Sequence, residues 1–308
     1  MASSSPWEPI TLDTDANPLD IGFVDSQNGF LIGTDRLILE TNDGGSTWKE
    51  RLLDIPSEGN FRMISIDFLE NEGWIAGQPG LILHTNDGGK NWNRLDLGSK
   101  LPGDPYLITT LGLDSAELAT TAGAIYQTND GGNNWEAKVL DTSGSGGIRD
   151  LRRLEDGSYI SVSSLGNFFS FVAPDSENWE PHQRASSKRV QSVGSQSKGQ
   201  LWMLSRGAEI RFNEESGNFD DWGKPIIPIV NGYNYQDLGF SPENDIWVAG
   251  GNGTLLVSED KGDTWQQDPV GDSIPTNFIR IVFTKGSEAS PAKGFVFGER
   301  GNLLRWKG

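Results

Sequence analysis

An eight-residue pattern that recurs along the chain constrains the fold more than any other feature of the sequence. It reads Ser/Thr-x-Asp-x-Gly-x-x-Trp, the pattern known as an Asp-box, and complete copies occupy residues 41–48, 85–92, 128–135 and 258–265. A short run of Asn, Asp and Gly between apolar runs is typical of a hairpin turn, where Asp accepts hydrogen bonds from turn N–H groups. Each copy therefore predicts a turn between two antiparallel strands.

The tryptophan that ends each copy returns at nearly constant intervals. Two degenerate copies end at Trp179 and Trp222, so the six tryptophans stand at positions 48, 92, 135, 179, 222 and 265, always 43 or 44 residues apart. Self-similarity at a fixed period of this length is typical of solenoids and propellers. A turn repeated around a fold cannot be one active site, so we interpret the boxes as structural.

Each repeat carries the same order of strand-like runs. In the second repeat, residues 61–69 are followed by an aromatic run at 73–77, a Gly turn at 78–80 and an apolar run at 81–85 that enters the box. A fourth strand begins at the box tryptophan. Four short antiparallel strands in about 43 residues predict one blade of a β-propeller.

The two ends of the chain predict the number of blades. The last repeat has second and third strands at residues 294–298 and 302–306 but no fourth, whereas residues 7–10 resemble an orphan fourth strand. We predict that the N-terminal strand completes the last blade and closes the ring, which removes the open sheet edges. The predicted fold is all-β, a single seven-bladed β-propeller domain over residues 1–308 with four-stranded antiparallel blades and Asp-box turns.

Composition excludes several classes of function. The formal net charge of −18 disfavours nucleic acid as a partner. The chain has no Cys and only two histidines, His84 and His182, on different blades, so we predict no disulfide and no metal site. No apolar run approaches the roughly 20 residues of a membrane span.

Basic residues are concentrated in the middle of this acidic chain. Between His182 and Arg211 six basic residues accompany one acid, Glu209. Arginine is well suited to planar carboxylate contacts, although a solvated charge run is the common outcome of such a pattern. Propeller sites usually use the face formed by the connections into the first strands and by the second-to-third-strand turns. We predict that a partner-binding patch on that face contains Arg149, Arg152, Arg153, Arg184, Lys188, Arg189 and Arg206, with Arg62 and Arg280 as possible extensions.

Signs of catalysis are weak. Sialidases also carry Asp-boxes, but they need an arginine triad, an acidic base and a Tyr–Glu nucleophile pair. Only Tyr233 and Tyr235 lie near the start of a first strand, and residues 61–64 lack the proline of the sialidase Phe-Arg-x-Pro motif. No Ser-His-Asp arrangement can be argued from the sequence. We predict no enzyme and no cofactor, with a sialidase-like or other glycan-acting enzyme and a generic protein-interaction propeller as the alternatives.

The seven short repeats with Thr-Asn-Asp-Gly-Gly-x-x-Trp boxes, together with the arginine-rich segments around 149–153 and 184–206, resemble one family over essentially the whole chain. This is the photosystem II stability and assembly factor family of cyanobacteria and chloroplasts. The resemblance implies a non-enzymatic protein of the thylakoid lumen that is membrane-associated and, we expect, monomeric. It implies binding to the precursor of the photosystem II reaction-centre subunit and to early assembly complexes, with the membrane insertase as a further candidate partner.

The same resemblance carries an expectation about targeting. Family members are exported, and cyanobacterial members can be lipid-anchored through an N-terminal Cys. This chain shows neither a signal segment nor a Cys. We therefore expect that a targeting segment is absent from the sequence, and that the rigid propeller presents arginines to acidic lumenal segments of a membrane partner, where charge sets orientation and association rate.

Overall fold

In the computed structural model, the regular secondary structure of the described residues is almost entirely β-strand. The structure describes residues 5–53, 60–95, 97, 101–140, 146–171, 176, 178–183, 186–196, 199–214, 218–228, 234–284 and 291–307. The chain forms two compact units. The N-terminal unit is Leu12–Ser143, and the C-terminal unit combines Met1–Thr11 with Gly144–Gly308.

The N-terminal unit contains three antiparallel sheets, each with four strands hydrogen-bonded in chain order. Blade 1 is β2 (Pro18–Phe23), β3 (Gly29–Gly33), β4 (Ile38–Thr41) and β5 (Lys49–Glu50). Blade 2 is β6 (Arg62–Leu69), β7 (Glu72–Gln78), β8 (Leu81–Thr85) and β9 (Asn93–Leu95). Blade 3 is β10 (Pro105–Gly112), β11 (Ser115–Thr120), β12 (Ile125–Thr128) and β13 (Glu136–Val139).

The C-terminal unit contains four antiparallel sheets and one short helix, α1 (Pro269–Asp272). Blade 4 is β14 (Ile148–Arg153), β15 (Tyr159–Ser163), β16 (Phe168–Phe171) and β17 (Glu180–His182). Blade 5 is β18 (Val190–Ser195), β19 (Leu201–Ser205) and β20 (Glu209–Phe212). Blade 6 is β21 (Tyr235–Phe240), β22 (Ile246–Gly250), β23 (Leu255–Ser258) and β24 (Gln266–Gln267). Blade 7 is β25 (Phe278–Phe283), β26 (Gly294–Gly298), β27 (Asn302–Trp306) and β1 (Trp7–Thr11).

The N-terminal strand completes the last blade, as the sequence predicts. Strand β1 pairs antiparallel with β27 from Trp7 opposite Trp306 to Thr11 opposite Asn302. Blade 5 departs from the predicted four strands within the described residues. Two isolated bridges, at Trp222 and Ile226, take the place of its fourth strand, because the degenerate box before Trp222 does not build a regular hairpin.

The Asp-boxes are turns stabilised by their own side chains. In the second box the Asp87 carboxylate accepts hydrogen bonds from the Asn91 N–H (2.9 Å) and the Thr85 hydroxyl (2.8 Å). The same Thr85 Oγ1 accepts the buried N–H of Gly89 at 3.0 Å, and Gly89 has a φ of +82° that favours glycine. Hydrogen bonds from Asn91 lower the pKa of Asp87 to about 2. These contacts confirm the structural interpretation of the box.

In three blades, the tryptophan at the end of the box packs against an aromatic residue of the preceding blade. The pairs, with their ring-centroid distances, are Trp92 with Phe30 (5.8 Å), Trp135 with Trp74 (6.0 Å) and Trp222 with Phe168 (5.6 Å). All three pairs are edge-to-face, a geometry that contributes beyond the area buried. The regular tryptophan spacing therefore reflects one repeated blade-to-blade contact.

A second repeated contact joins the first strands of consecutive blades. The pairing between each first strand and its second strand shifts register near the start of the first strand. In four blades, the side chain just after this shift accepts a hydrogen bond from a backbone N–H in the first strand of the next blade. The pairs are Asp20 with Ile66 (3.0 Å), Ser65 with Ile108 (3.2 Å), Asp150 with Val193 (3.0 Å) and Asp237 with Ile281 (3.1 Å). Because a register shift leaves a strand N–H without its ladder partner, these side chains satisfy it.

Asp67, two residues after Ser65, is expected to make stability fall as pH rises from about 4 to about 6. Burial, with the nearby Asp20 charge adding to it, raises the pKa of Asp67 from 3.8 to about 6. In that window the folded chain holds a proton that the unfolded chain releases, so the unfolding free energy decreases with pH by at most about 3 kcal/mol.

Urea unfolding at about pH 4 and about pH 7.5 measures this decrease. Asp67→Asn keeps an oxygen for the Thr110 N–H, which Asp67 accepts at 2.7 Å. We expect this variant to be more stable than the wild type at the higher pH and equal to it at the lower pH. The Asp-box carboxylates affect stability mainly below about pH 4, because the pKa of Asp87 falls from 3.8 to about 2 on folding. Their effect is common to the wild type and Asp67→Asn, so it cancels in the comparison. An unchanged pH dependence in Asp67→Asn would contradict the assignment.

Candidate functional site

Three of the predicted arginines come together where the chain enters the first strands of blades 4 and 5. Nε of Arg149, at the start of β14, donates to the carbonyl of Gln191 in β18 at 3.1 Å. The backbone N–H of Arg206, in the turn between β19 and β20, donates to the backbone carbonyl of Arg189 at 3.0 Å. We call Arg149, Arg189 and Arg206 the arginine patch.

A glycine allows Arg189 to lie close to blade 4. Gly166, in the turn between β15 and β16, has a φ of +81°, and a Cβ there would lie 2.6 Å from Cγ of Arg189. Nε of Arg189 is buried and has no hydrogen-bond partner among the described residues. Leaving a buried donor unpaired costs about 1–3 kcal/mol, more for a charged group. Because this atom is closed to solvent, an acceptor from outside would reach it only after the Arg189 side chain shifts.

Arg152 lies further along β14 and is already held by carboxylates. Its guanidinium is 3.1 Å from Asp237 and 3.4 Å from Asp150. Burial raises the pKa of Asp237, with Arg152 acting in the opposite direction. The patch arginines therefore adjoin a fixed ion-pair network in which Arg152 already has protein partners.

Two other predicted residues, Arg153 and Lys188, contact groups outside the arginine patch. Arg153, which was predicted to belong to the patch, lies at the far end of β14. Its guanidinium is 5.9 Å from the centre of the Tyr159 ring and lies near Gly157. Nζ of Lys188 is 3.3 Å from Glu209, a carboxylate that also accepts from Nε of Arg211 at 2.8 Å. Arg184 lies outside the described residues.

One feature beside the patch was missed by the sequence analysis. Leu165, next to Gly166 in the same turn, is 64% exposed. A leucine within the polar turn Ser164-Leu165-Gly166-Asn167 is a signal that the sequence does contain. It places an exposed apolar side chain in the turn whose Gly166 lies against Arg189.

The structure contains a Ser–His–Asp chain that the sequence did not reveal. Nε2 of His182 lies 2.6 Å from the Ser170 hydroxyl, and its Nδ1 lies 3.2 Å from the Asp220 carboxylate. The order matches a catalytic triad, but Ser170 is only 1% exposed, and Asp220 also accepts the Gln183 N–H at 2.7 Å. A nucleophile must reach its substrate, so we interpret this chain as a clasp between blades 4 and 5.

The tyrosines weighed for a sialidase-like site do not support one. Tyr235 is 1% exposed within the core cluster between blades 5 and 6, and burial raises its pKa to about 12. Tyr233 lies outside the described residues. Across the described ranges, no helix has the length and apolar character needed to cross a membrane.

Antiparallel blades with Asp-box turns, three of them packed against the preceding blade through the tryptophan at the end of the box, define the class of Asp-box β-propellers, here with an arginine patch. A family model described as "Photosynthesis system II assembly factor YCF48" matches residues 1–307. The chain belongs to this family, and the family resemblance read from the sequence is confirmed.

Relatives and solved structures agree with this assignment. The chain is 73% identical over 308 residues to the Photosystem II assembly lipoprotein Ycf48 of Prochlorococcus marinus strain NATL2A, covering 100% of this chain and 91% of the relative. A solved structure described as YCF48 bound to D1 peptide is 42% identical with a TM-score of 0.91, covering 99% of this chain and 96% of that one. YCF48 from Cyanidioschyzon merolae is 34% identical with a TM-score of 0.90, covering 97% and 98%. The predicted seven-bladed all-β propeller is confirmed.

Proposed function

We propose that this chain is a non-enzymatic photosystem II assembly factor that binds a segment of the newly made reaction-centre subunit at the arginine patch. A relative of the same family is described as bound to a D1 peptide, and this supports the choice of partner. The observation that carries the location is that two exposed arginines, Arg149 and Arg206, lie beside the Arg189 segment at the junction of blades 4 and 5 in a chain of net charge −18. A carboxylate of the partner would pair with these guanidinium groups.

The chemistry of the patch favours an acidic segment with an apolar side chain. Charge-assisted bonds from guanidinium to carboxylate are short and strong, and two arginines can clamp one acidic segment. Leu165, in the turn that lies against Arg189, would contact an apolar side chain of the partner and so shield the neighbouring charged contacts from water. Arg152, Arg153, Arg184 and Lys188 stay in the proposed partner-binding set as residues that shape or extend the positive field.

We further propose a single propeller domain that acts as a monomer on the lumenal side of the thylakoid membrane. The relatives' name, assembly lipoprotein, supports membrane association. The proposed partners are the precursor subunit, early assembly complexes and the membrane insertase. No cofactor and no catalytic step enters this account.

A pull-down from solubilised thylakoid membranes tests the proposal. The double variant Arg149→Glu with Arg189→Glu is expected to lose the early photosystem II intermediates that the wild type retains. A matched control is Lys90→Glu with Lys261→Glu, which makes the same change in net charge at two Asp-box turns. In an antiparallel blade the box turn lies at the opposite end of the strands from the second-to-third-strand turn.

Two results would count against the proposal. Equal retention by both double variants would place the binding face elsewhere on the chain. Failure of the folded wild type to retain any photosystem II intermediate would remove the proposed partner, and glycan substrates would then be tested, since sialidase-type propellers share the Asp-box.

A further inference from the structure

Three potential metal ligands meet between blades 2 and 3, in the N-terminal unit. Glu72 opens β7, His84 lies on β8, and Asp114 forms the turn between β10 and β11. One oxygen or nitrogen atom from each side chain lies within 4.8 Å of the others. Nε2 of His84 is 2.6 Å from Oε1 of Glu72, and the N–H of Asp114 donates to the same oxygen at 3.0 Å.

Glu72 is buried, and His84 is the basic side chain that contacts it in the described ranges. Glu72 is 5% exposed and His84 is 7% exposed. Oε2 of Glu72 is buried with no hydrogen-bond partner among the described residues. No lysine or arginine in the described ranges forms an ion pair with Glu72 or Asp114. A buried carboxylate without full compensation is costly, and a bound cation is one way to offset it.

The fold does not require this set of residues. The turn carbonyl of Asp114 accepts the N–H of Gly131 in the next box, and the carbonyls of Gln27 and Asn71 accept the equivalent N–H in blades 1 and 2. Neither of those two side chains is a carboxylate or an imidazole. The same turn therefore forms without a metal ligand.

The positions of the other two ligands also vary between blades. The residue just before the first glycine of the second strand is Glu72 in blade 2 and Asn28 in blade 1. The residue opposite the second-strand aromatic is His84 in blade 2 and Glu40 in blade 1. An imidazole and two carboxylates coincide at this junction by residue choice, and the repeat pattern does not demand them.

Neighbouring residues orient the imidazole and leave space beside it. The Trp74 ring stacks on the His84 ring with centroids 4.0 Å apart, which fixes the plane of the imidazole. A Cβ on Gly131 would lie 3.2 Å from Oδ1 of Asp114 and 3.8 Å from Cε1 of His84. The glycine, with a φ of +71°, therefore keeps bulk away from the ligand atoms.

We propose that Glu72, His84 and Asp114 bind a divalent transition metal of the Zn²⁺ class and thereby cross-link blades 2 and 3. Bonds of about 2.1 Å to a tetrahedral ion place ligand atoms about 3.4 Å apart, within the span of this cluster. An imidazole with carboxylates suits Zn²⁺ and its neighbours, whereas Mg²⁺ and Ca²⁺ prefer oxygen ligands alone. The sequence analysis weighed only the two histidines and did not consider Glu72 on the same blade as His84 or Asp114 on the next blade.

Calorimetric titration of the full chain with Zn²⁺, after dialysis against a chelator, tests the site. We expect one equivalent to bind with a Kd below about 10 µM, and Asp114→Asn or Glu72→Gln to weaken binding at least about 10-fold. Zn²⁺ should raise the unfolding temperature of the wild type and leave that of Asp114→Asn unchanged. Mg²⁺ should not compete.

A matched control uses the second histidine of the chain. His182 also contacts a carboxylate, Asp220 at 3.2 Å, so His182→Gln removes an equivalent pair and should leave Zn²⁺ affinity unchanged. Asp114 is only partly buried and its backbone makes the turn contact, so Asp114→Asn is expected to fold. Zn²⁺ binding no tighter than about 1 mM, or equal binding by wild type and Asp114→Asn, would overturn the site. Neither result bears on the arginine patch.

Discussion

Glutamate at positions 149 and 189 together is expected to weaken binding of a D1 peptide roughly 100-fold, equivalent to about 2.7 kcal/mol. The substitutions remove two guanidinium groups and place two carboxylates in the same positions. Arg152 is left intact because its ion pairs with Asp150 and Asp237 belong to the folded core. Leu165→Ala should cause a smaller loss, since it removes apolar contact and leaves the charge unchanged.

Fluorescence anisotropy with a labelled peptide measures these affinities at about 50 mM and about 500 mM salt. Wild-type affinity should fall at the higher salt concentration, and the loss caused by the double variant should shrink, because salt screens exposed charges. The control variant Lys90→Glu with Lys261→Glu should bind as the wild type does. Peptide binding that is insensitive to both salt and the arginine substitutions would exclude an electrostatic patch.

Asp150→Ala is expected to destabilise the chain by about 3–5 kcal/mol, the largest effect on stability that we predict for a polar side chain. The Asp150 carboxylate accepts the Ser192 hydroxyl at 2.6 Å and the Val193 N–H at 3.0 Å. It also lies 3.4 Å from Nε of Arg152. The Leu151 N–H donates to this carboxylate as well, at 3.0 Å. Removing the carboxylate therefore takes the acceptor from three buried donors and weakens the support of Arg152.

Two milder variants separate these contributions in urea unfolding. Asp150→Asn keeps one oxygen for the Ser192 hydroxyl and the Val193 N–H. It loses the charge and turns the other oxygen, which faces the Leu151 N–H and Nε of Arg152, into an NH2 donor, so an intermediate loss of stability is expected. Ser192→Ala removes one hydroxyl and should cost about 1 kcal/mol. If Asp150→Ala lay within about 1 kcal/mol of the wild type, the hydrogen bond between the first strands would not be a principal blade-to-blade contact.

Much of the fold could be predicted because its determinants are local and repeated. Each box encodes its own turn, as the bonds from Thr85 and Asn91 to Asp87 illustrate. The tryptophan spacing then predicts the number of blades, because the same kind of contact with the preceding blade recurs, as in the pairs of Trp92 with Phe30 and Trp135 with Trp74. Even the non-local pairing of Trp7 with Trp306 was accessible, because the last repeat lacks a fourth strand.

The site was less predictable because it depends on positions along individual strands. Arg149 and Arg153 are near neighbours in sequence, but four residues of extended chain separate them by about 13 Å. The register shift after Ile148 places Asp150 towards blade 5 and so determines what Arg152 contacts. Neither effect is visible in a count of basic residues.

Clusters assembled from different blades escaped sequence analysis for a related reason. Ser170, His182 and Asp220 meet through a contact between blades 4 and 5. Glu72 and Asp114 meet through one between blades 2 and 3. The repeat pattern predicts that consecutive blades touch, but it does not predict which side chains face each other.

A crystal structure of the full chain with a D1 peptide tests the central claim most directly. We expect peptide carboxylates within hydrogen-bond distance of the guanidinium groups of Arg149 and Arg189, with an apolar side chain against Leu165. A peptide bound at the Asp-box turns, with no contact to Arg149 or Arg189, would contradict the account.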